Sequence, residues 1–121
     1  MLLFVSLLFV SAHFAQDATA VVGHKICREA PGPEDTLQFK LVLQQGGKVN
    51  GSGSFSGALG ILYFSKGNWQ IKNDRVLVEI TLAGKMSTGQ RMEKKQQVRK
   101  FDFPVRDLLT SKGCYEPQDI R

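Results

Sequence analysis

The sequence is poor in the residues that carry most protein chemistry. Among 121 residues it has two histidines, two cysteines and one tryptophan. His13 lies in the opening apolar run, so His24 is the one histidine left to the domain that follows. A serine–histidine–acid arrangement would have to be built around that single ring, and a strand histidine near Cys27 is the plainer reading. No His, Cys, Asp and Glu grouping has zinc-ligand spacing, and no EF-hand loop occurs. Glu34 and Asp35 are adjacent but follow Pro33, where an exposed loop is expected rather than two carboxyls with separated acidities. The glycine-rich stretch Gly51-Ser52-Gly53-Ser54-Phe55-Ser56-Gly57 lacks the Lys-Ser/Thr of a phosphate-binding loop, and no helical pattern follows it. These absences point away from an enzyme, a metal or a cofactor. A small hydrolase built on His24 is the weakest of the functional classes considered.

Long apolar runs are also scarce. Residues 1–12, Met-Leu-Leu-Phe-Val-Ser-Leu-Leu-Phe-Val-Ser-Ala, are almost wholly apolar, and no charged side chain appears until Asp17 apart from His13. A stretch of about 11 apolar residues is too short for a bilayer core, which takes roughly 20. It matches the apolar segment of a signal peptide followed by small residues. Two cleavage positions qualify, after Ala15 and, through Ala18-Thr19-Ala20, after Ala20. The expected organisation is a signal peptide over 1–15 and one secreted β domain over 16–121, near the usual domain size. No later segment is long and apolar enough to span a membrane.

An extracellular compartment gives meaning to what is present. Two cysteines in a secreted chain predict a Cys27–Cys114 disulfide. Closing a loop of roughly 90 residues stabilises by about 4 to 5 kcal/mol on the chain-entropy model. Asn50-Gly51-Ser52 is a sequon with a non-proline middle residue, which makes Asn50 a glycosylation candidate. The net charge of +5 favours acidic partners such as anionic lipid headgroups, a membrane surface, sulfated glycans or an acidic protein receptor.

Hydropathy alternates along the chain with a period of two. Leu37–Gln44 places Leu37, Phe39, Leu41 and Leu43 on one face, and Gly46-Gly47 follows as a turn. Val21–Cys27 reads as a first strand. Residues 49–57 read as a flexible loop or a poorly packed edge strand. Ile61–Ser65, a turn at Lys66-Gly67-Asn68, Trp69–Lys72, a turn at Asn73-Asp74 and Arg75–Leu82 form a meander. Residues 83–89 read as a loop. Gln90–Lys100 has no apolar stripe at either period, so it is an exposed edge strand or a mobile loop. Phe101 and Phe103 restore the alternation, and residues 105–111 suit one or two helical turns ended by Gly113. Several short strands with frequent turns define an all-β class, an antiparallel β-sandwich or a small barrel with at most one short C-terminal helical turn.

Two sets of residues carry the functional expectation. Phe55, Phe64, Trp69, Phe101 and Phe103 fall on inward faces, where they line an apolar ligand cavity or simply form the core. Arg91, Lys94, Lys95, Arg99 and Lys100, opposed by Glu93, form the densest basic stretch, a docking face for an anionic partner or a solvated edge that resists aggregation. Aromatic residues do not interleave with these charges as nucleic-acid stacking platforms would require, so nucleic acid is not an expected partner.

Val49-Asn50-Gly51-Ser52, Ser54-Phe55-Ser56, Gly60-Ile61 and Phe64-Ser65-Lys66-Gly67 together resemble the mid-domain strands of the ML lipid-recognition family. That resemblance implies a two-sheet immunoglobulin-like sandwich that opens to hold acyl chains or sterol, and pairing of an early with a late cysteine is in keeping with it. The leading expectation is a secreted non-enzymatic protein that holds a lipid or other small apolar ligand, with the basic segment near anionic headgroups. The alternative is a secreted interaction or effector protein, such as a venom, host-defence or matrix component, acting through an exposed basic face.

Overall fold

The computed structural model describes residues 18–30 and 36–118. Residues 1–15, with the expected signal peptide and its first cleavage position, lie outside the described residues, as do Glu34 and Asp35. Among the described residues the chain forms one seven-stranded sheet, a helical turn at residues 18–21 and a short helix near the C-terminal end. In chain order the strands are β1 (Lys25–Arg28), β2 (Leu37–Gln44), β3 (Lys48–Gly57), β4 (Gly60–Lys72), β5 (Arg75–Ser87), β6 (Met92–Pro104) and β7 (Cys114–Tyr115), with the helix Val105–Thr110 between β6 and β7. The order across the sheet is β6-β5-β4-β3-β2-β1-β7. Every ladder is antiparallel except β1–β7, which is parallel.

The alternation of β2 and β5 explains why the sheet rolls. Leu37, Phe39, Leu41 and Leu43 on β2 and Val76, Val78, Ile80 and Leu82 on β5 are all buried, so each strand has one apolar face to cover. A single sheet covers both by curling until its inner faces meet. Phe39 on β2 stacks on Phe101 of β6 at 4.8 Å between ring centroids, and Phe103 of β6 meets Tyr115 of β7 at 4.9 Å. The first and last strands of the sheet thus approach through side chains, and the result is a small barrel around one core. Its base is closed by Val105 and Leu108 of the helix, by Val21 and by Trp69, all buried. The Trp69 indole Nε1–H donates to the Gln44 carbonyl at 2.7 Å, which satisfies the one polar atom of a buried ring.

The disulfide is present. Cys27 and Cys114 are bonded across 87 residues, with Cα atoms 5.9 Å apart. They lie on neighbouring strands, so the bond fastens the two-residue β7 to β1.

Local structure differs from expectation in four places. Residues 18–21 form a helical turn, and the first strand begins at Lys25. Residues 49–57 are neither loop nor edge: β3 is an interior strand between β2 and β4. Its small residues permit this, because Gly51 takes a φ of +142° beside the Lys40 carbonyl, and the β3–β4 register shifts between Lys48 and Ser54. Lys66-Gly67-Asn68 is not a turn either. β4 continues through it past a bulge between Phe64 and Lys66. Gly67 serves a close approach instead, since a Cβ there would lie 3.0 Å from Ile80 and 3.1 Å from Val49. Residues 83–87 extend β5 rather than forming a loop. The Asn73-Asp74 turn is as expected, with both residues at positive φ (54° and 62°), the conformation of a tight two-residue hairpin. Gln90–Lys100 resolves as edge strand from Met92 onward.

Two outcomes follow from this closure. Replacing Cys27 and Cys114 with alanine is expected to lower unfolding free energy by about 4 to 5 kcal/mol, read as a fall in the urea midpoint. Tyr115 closes the seam against Phe103, and burial, then the Asp107 carboxylate, hold its hydroxyl above the usual value of 10.0 against an opposing pull from Arg75. Folding therefore favours the protonated phenol. Its stabilisation is complete below about pH 10 and falls as pH rises through the folded-state value. Thermal melts at increasing pH above neutrality should show that loss in the native protein and less of it in Tyr115→Phe.

Candidate functional site at the barrel mouth

The two ends of the barrel differ. β5 runs from Arg75 at the base to Ser87 at the mouth, roughly 40 Å at strand spacing. Successive inward rows climb from the base along the paired strands. Val78 faces Phe101, and Ile80 faces Arg99. The next level holds the pair Phe39 and Gly53 and the run Phe64, Leu82 and Gln97, and the row above joins Leu37, Phe55, Leu62, Gly84 and Lys95. At the rim stand Gly57, Gly60, Met86 and Glu93.

Read down β6 alone, the inward positions are Glu93, Lys95, Gln97, Arg99, Phe101 and Phe103. The lower two are core, and the upper four are polar. Glu93 and Lys95 have side chains 43% and 51% exposed, Gln97 is half-buried, and Arg99 is buried at 9%. Their contacts keep to this face: Lys95 Nζ lies 3.9 Å from Glu93 Oε2, and Arg99 Nη1 donates to Gln97 Oε1 at 3.3 Å. The wall continuing from it along β5, β4 and β3 is apolar. Phe55, Phe64 and Met86 are partly buried and pack against the core, with Leu62 fully covered between them. The mouth therefore has one charged wall and one apolar wall. The Arg99 guanidinium is a buried donor held on the charged wall, with the Gln97 side-chain oxygen as one acceptor.

The aromatic residues singled out in the sequence divide accordingly. Trp69, Phe101 and Phe103 are buried in the core near the base, while Phe55 and Phe64 flank the mouth. The basic stretch divides as well, because strand alternation separates its members. Lys95 and Arg99 face inward, Lys94 and Lys100 face outward, and Arg91 precedes β6 in the turn. Asn50 is exposed on the outer side of β3, opposite Val42. His24 lies at the base, its N–H donating to the Val21 carbonyl at 3.1 Å and its carbonyl accepting from Leu43 at 3.0 Å. No group of three His, Cys, Asp or Glu residues that could hold a metal ion occurs among the described residues, and no described helix is long and apolar enough to cross a membrane. An open depression of about 580 Å³ between the helix and Asp74 lies at the base, far from the mouth.

Leu62, Met86, Gln97 and Glu93 were missed as site residues. Counting back by twos from Phe103 and Phe101 would have found the β6 pair. Residues 49–67 form most of β3 and the first part of β4, including Phe55 and Phe64. Comparison with protein-family models, with curated proteins and with solved structures gave no match. The disulfide fits an extracellular protein.

Proposed function

We propose that this is a secreted, non-enzymatic binding protein that takes an amphipathic anionic ligand, such as a fatty acid or other acid-headed lipid, into the barrel mouth. The observation that carries the reading is the inward polar file Glu93, Lys95, Gln97 and Arg99, which shares its ladder rows with Met86, Leu62 and Phe64 and, beyond them, Phe55. The acid head enters first and accepts hydrogen bonds from Arg99, with Gln97 beside it. The apolar chain lies along the phenylalanine wall and leaves past Lys95 at the rim. Charge-assisted hydrogen bonds at a largely desolvated guanidinium are stronger than neutral ones, and a few well-placed polar groups in an apolar pocket set ligand orientation. The likeness to lipid-recognition strands and the apolar opening run agree with a lipidic ligand met outside the cell.

Protein recovered from the medium of a secreting cell, extracted with organic solvent and analysed by mass spectrometry, should yield an acid-headed lipid. Titration of the delipidated protein should show a long-chain fatty acid binding more tightly than the alcohol of equal length. Arg99→Gln should weaken the acid by about 10- to 100-fold, the worth of a hydrogen bond to a charged group, and leave the alcohol unchanged. Absence of the protein from the medium, an empty extract with no titratable binding, or equal loss of acid and alcohol in a folded Arg99→Gln would contradict the proposal.

A further inference from the structure

Around the mouth, outside the barrel wall, a second surface is built from different residues. The β3–β4 hairpin turns at Ala58-Leu59, since Gly57 pairs with Gly60. Its tip touches the end of β5, where Ser87 N–H donates to the Leu59 carbonyl at 2.8 Å, and Ser87 in turn pairs with Met92. Leu59 and Met92 thus flank the same residue at the extreme end of the molecule, 58% and 55% exposed. Behind them on the outer face, Ile61, Tyr63 and Val98 are also exposed.

The charges beside these side chains carry one sign. Ile61 pairs with Lys85, and Lys85 pairs with Lys94, so two lysines stand directly opposite each other on one face. Like charges in that position destabilise a sheet. Their outward neighbours on the same strands and across the ladder are Ile61, Ala83, Ser87, Met92 and Gln96, none of them acidic. Neither lysine makes an ion pair among the described residues, whereas Arg91 and Lys95 share Glu93 at 3.9 Å. A cost accepted in the free protein and removed by an anionic surface is the mark of an electrostatic docking site.

We infer that this end of the barrel docks on an anionic lipid bilayer, with Leu59 and Met92 entering the headgroup layer and Lys85, Lys94 and Arg91 lying against acidic headgroups. Single apolar side chains on convex hairpin tips suit a deformable surface that closes around them, as interfacial anchors do, and Tyr63 sits where an amphipathic ring meets the headgroup level. Each lysine near an acidic membrane surface contributes about a fivefold gain in partitioning. The inference stands on residues separate from Arg99 and Phe55, and holds whether or not the mouth carries a ligand.

Flotation with vesicles of phosphatidylcholine, with and without phosphatidylserine, tests it. The protein should bind the phosphatidylserine vesicles and release from them as salt is raised, since screening weakens exposed charge attraction, and should ignore phosphatidylcholine alone. Lys85→Gln with Lys94→Gln should lower partitioning by about 20- to 30-fold. Leu59→Asp with Met92→Asp should lower it by about tenfold or more, with unchanged melting temperature in both variants. Arg99→Gln should bind vesicles like the native protein. No vesicle binding, equal binding to both compositions, or binding undiminished by the Leu59 and Met92 changes overturns the inference. The last outcome, with retention on a sulfated polysaccharide, would point to a soluble polyanion as partner instead.

Discussion

The contact on which the rest of the molecule depends is the stack of Phe39 on Phe101 across the barrel interior. β2 and β6 lie four places apart in a continuous sheet, and nothing in the backbone ladder joins them. Only by curling can the sheet bring those two faces together, and the apolar files on β2 and β5 are what make the curl favourable. Stacked rings contribute about 0.5 to 1.5 kcal/mol beyond the area they bury, but their position matters more than that increment. They tie β2 to β6 within a core that continues above them through Ile80, Leu82, Leu62 and Leu37. Below them lie Val76, Phe103, Val105 and Leu108; above them the β6 side of the wall changes from phenylalanine to arginine.

That change makes β6 two strands in one. Its C-terminal half is a core strand, with Phe101 and Phe103 at 1% and 2% exposure. Its N-terminal half contributes no apolar side chain to the core. A chain of this size has limited surface to bury, and it leaves the N-terminal half of this edge strand polar on its inner face and largely exposed. The covalent link between Cys27 and Cys114 offsets the loss by holding β7, and with it Tyr115, against the seam where ladder hydrogen bonds are missing. The disulfide and the buried basal residues thus hold one end of the strands, while the polar half of β6 lies at the other.

Much of the frame was legible in the sequence because it rests on local rules. Leu37–Gln44 alternates so regularly that its bounds match the strand, and Asn73-Asp74 has the chemistry of a tight turn. Glycine misled where it served packing rather than turning: Gly67 sits inside β4 because a side chain there would press on Val49 and Ile80, and the Gly-Ser stretch of β3 is interior because bare backbone can approach β2 closely. The site was less legible. Arg91 to Lys100 reads as one basic face only when its charges are counted without the strand alternation that sends Arg99 inward and Lys94 outward. Trp69, Phe101 and Phe103 could not be told from Phe55 and Phe64 by residue type. What separates them is height in the barrel, which depends on ladder register across five strands.

The central claim is that the interior near Arg99 accepts an acid-headed amphiphile. Amide chemical shifts of the isotope-labelled protein, followed as a long-chain fatty acid is added, test it most directly. The backbone signals expected to move belong to Phe55, Leu62, Phe64, Gly84, Gln97 and Arg99, while those of the basal helix Val105–Thr110 stay in place. Shifts confined to the base or to the outer face, or no shifts at all, would contradict it.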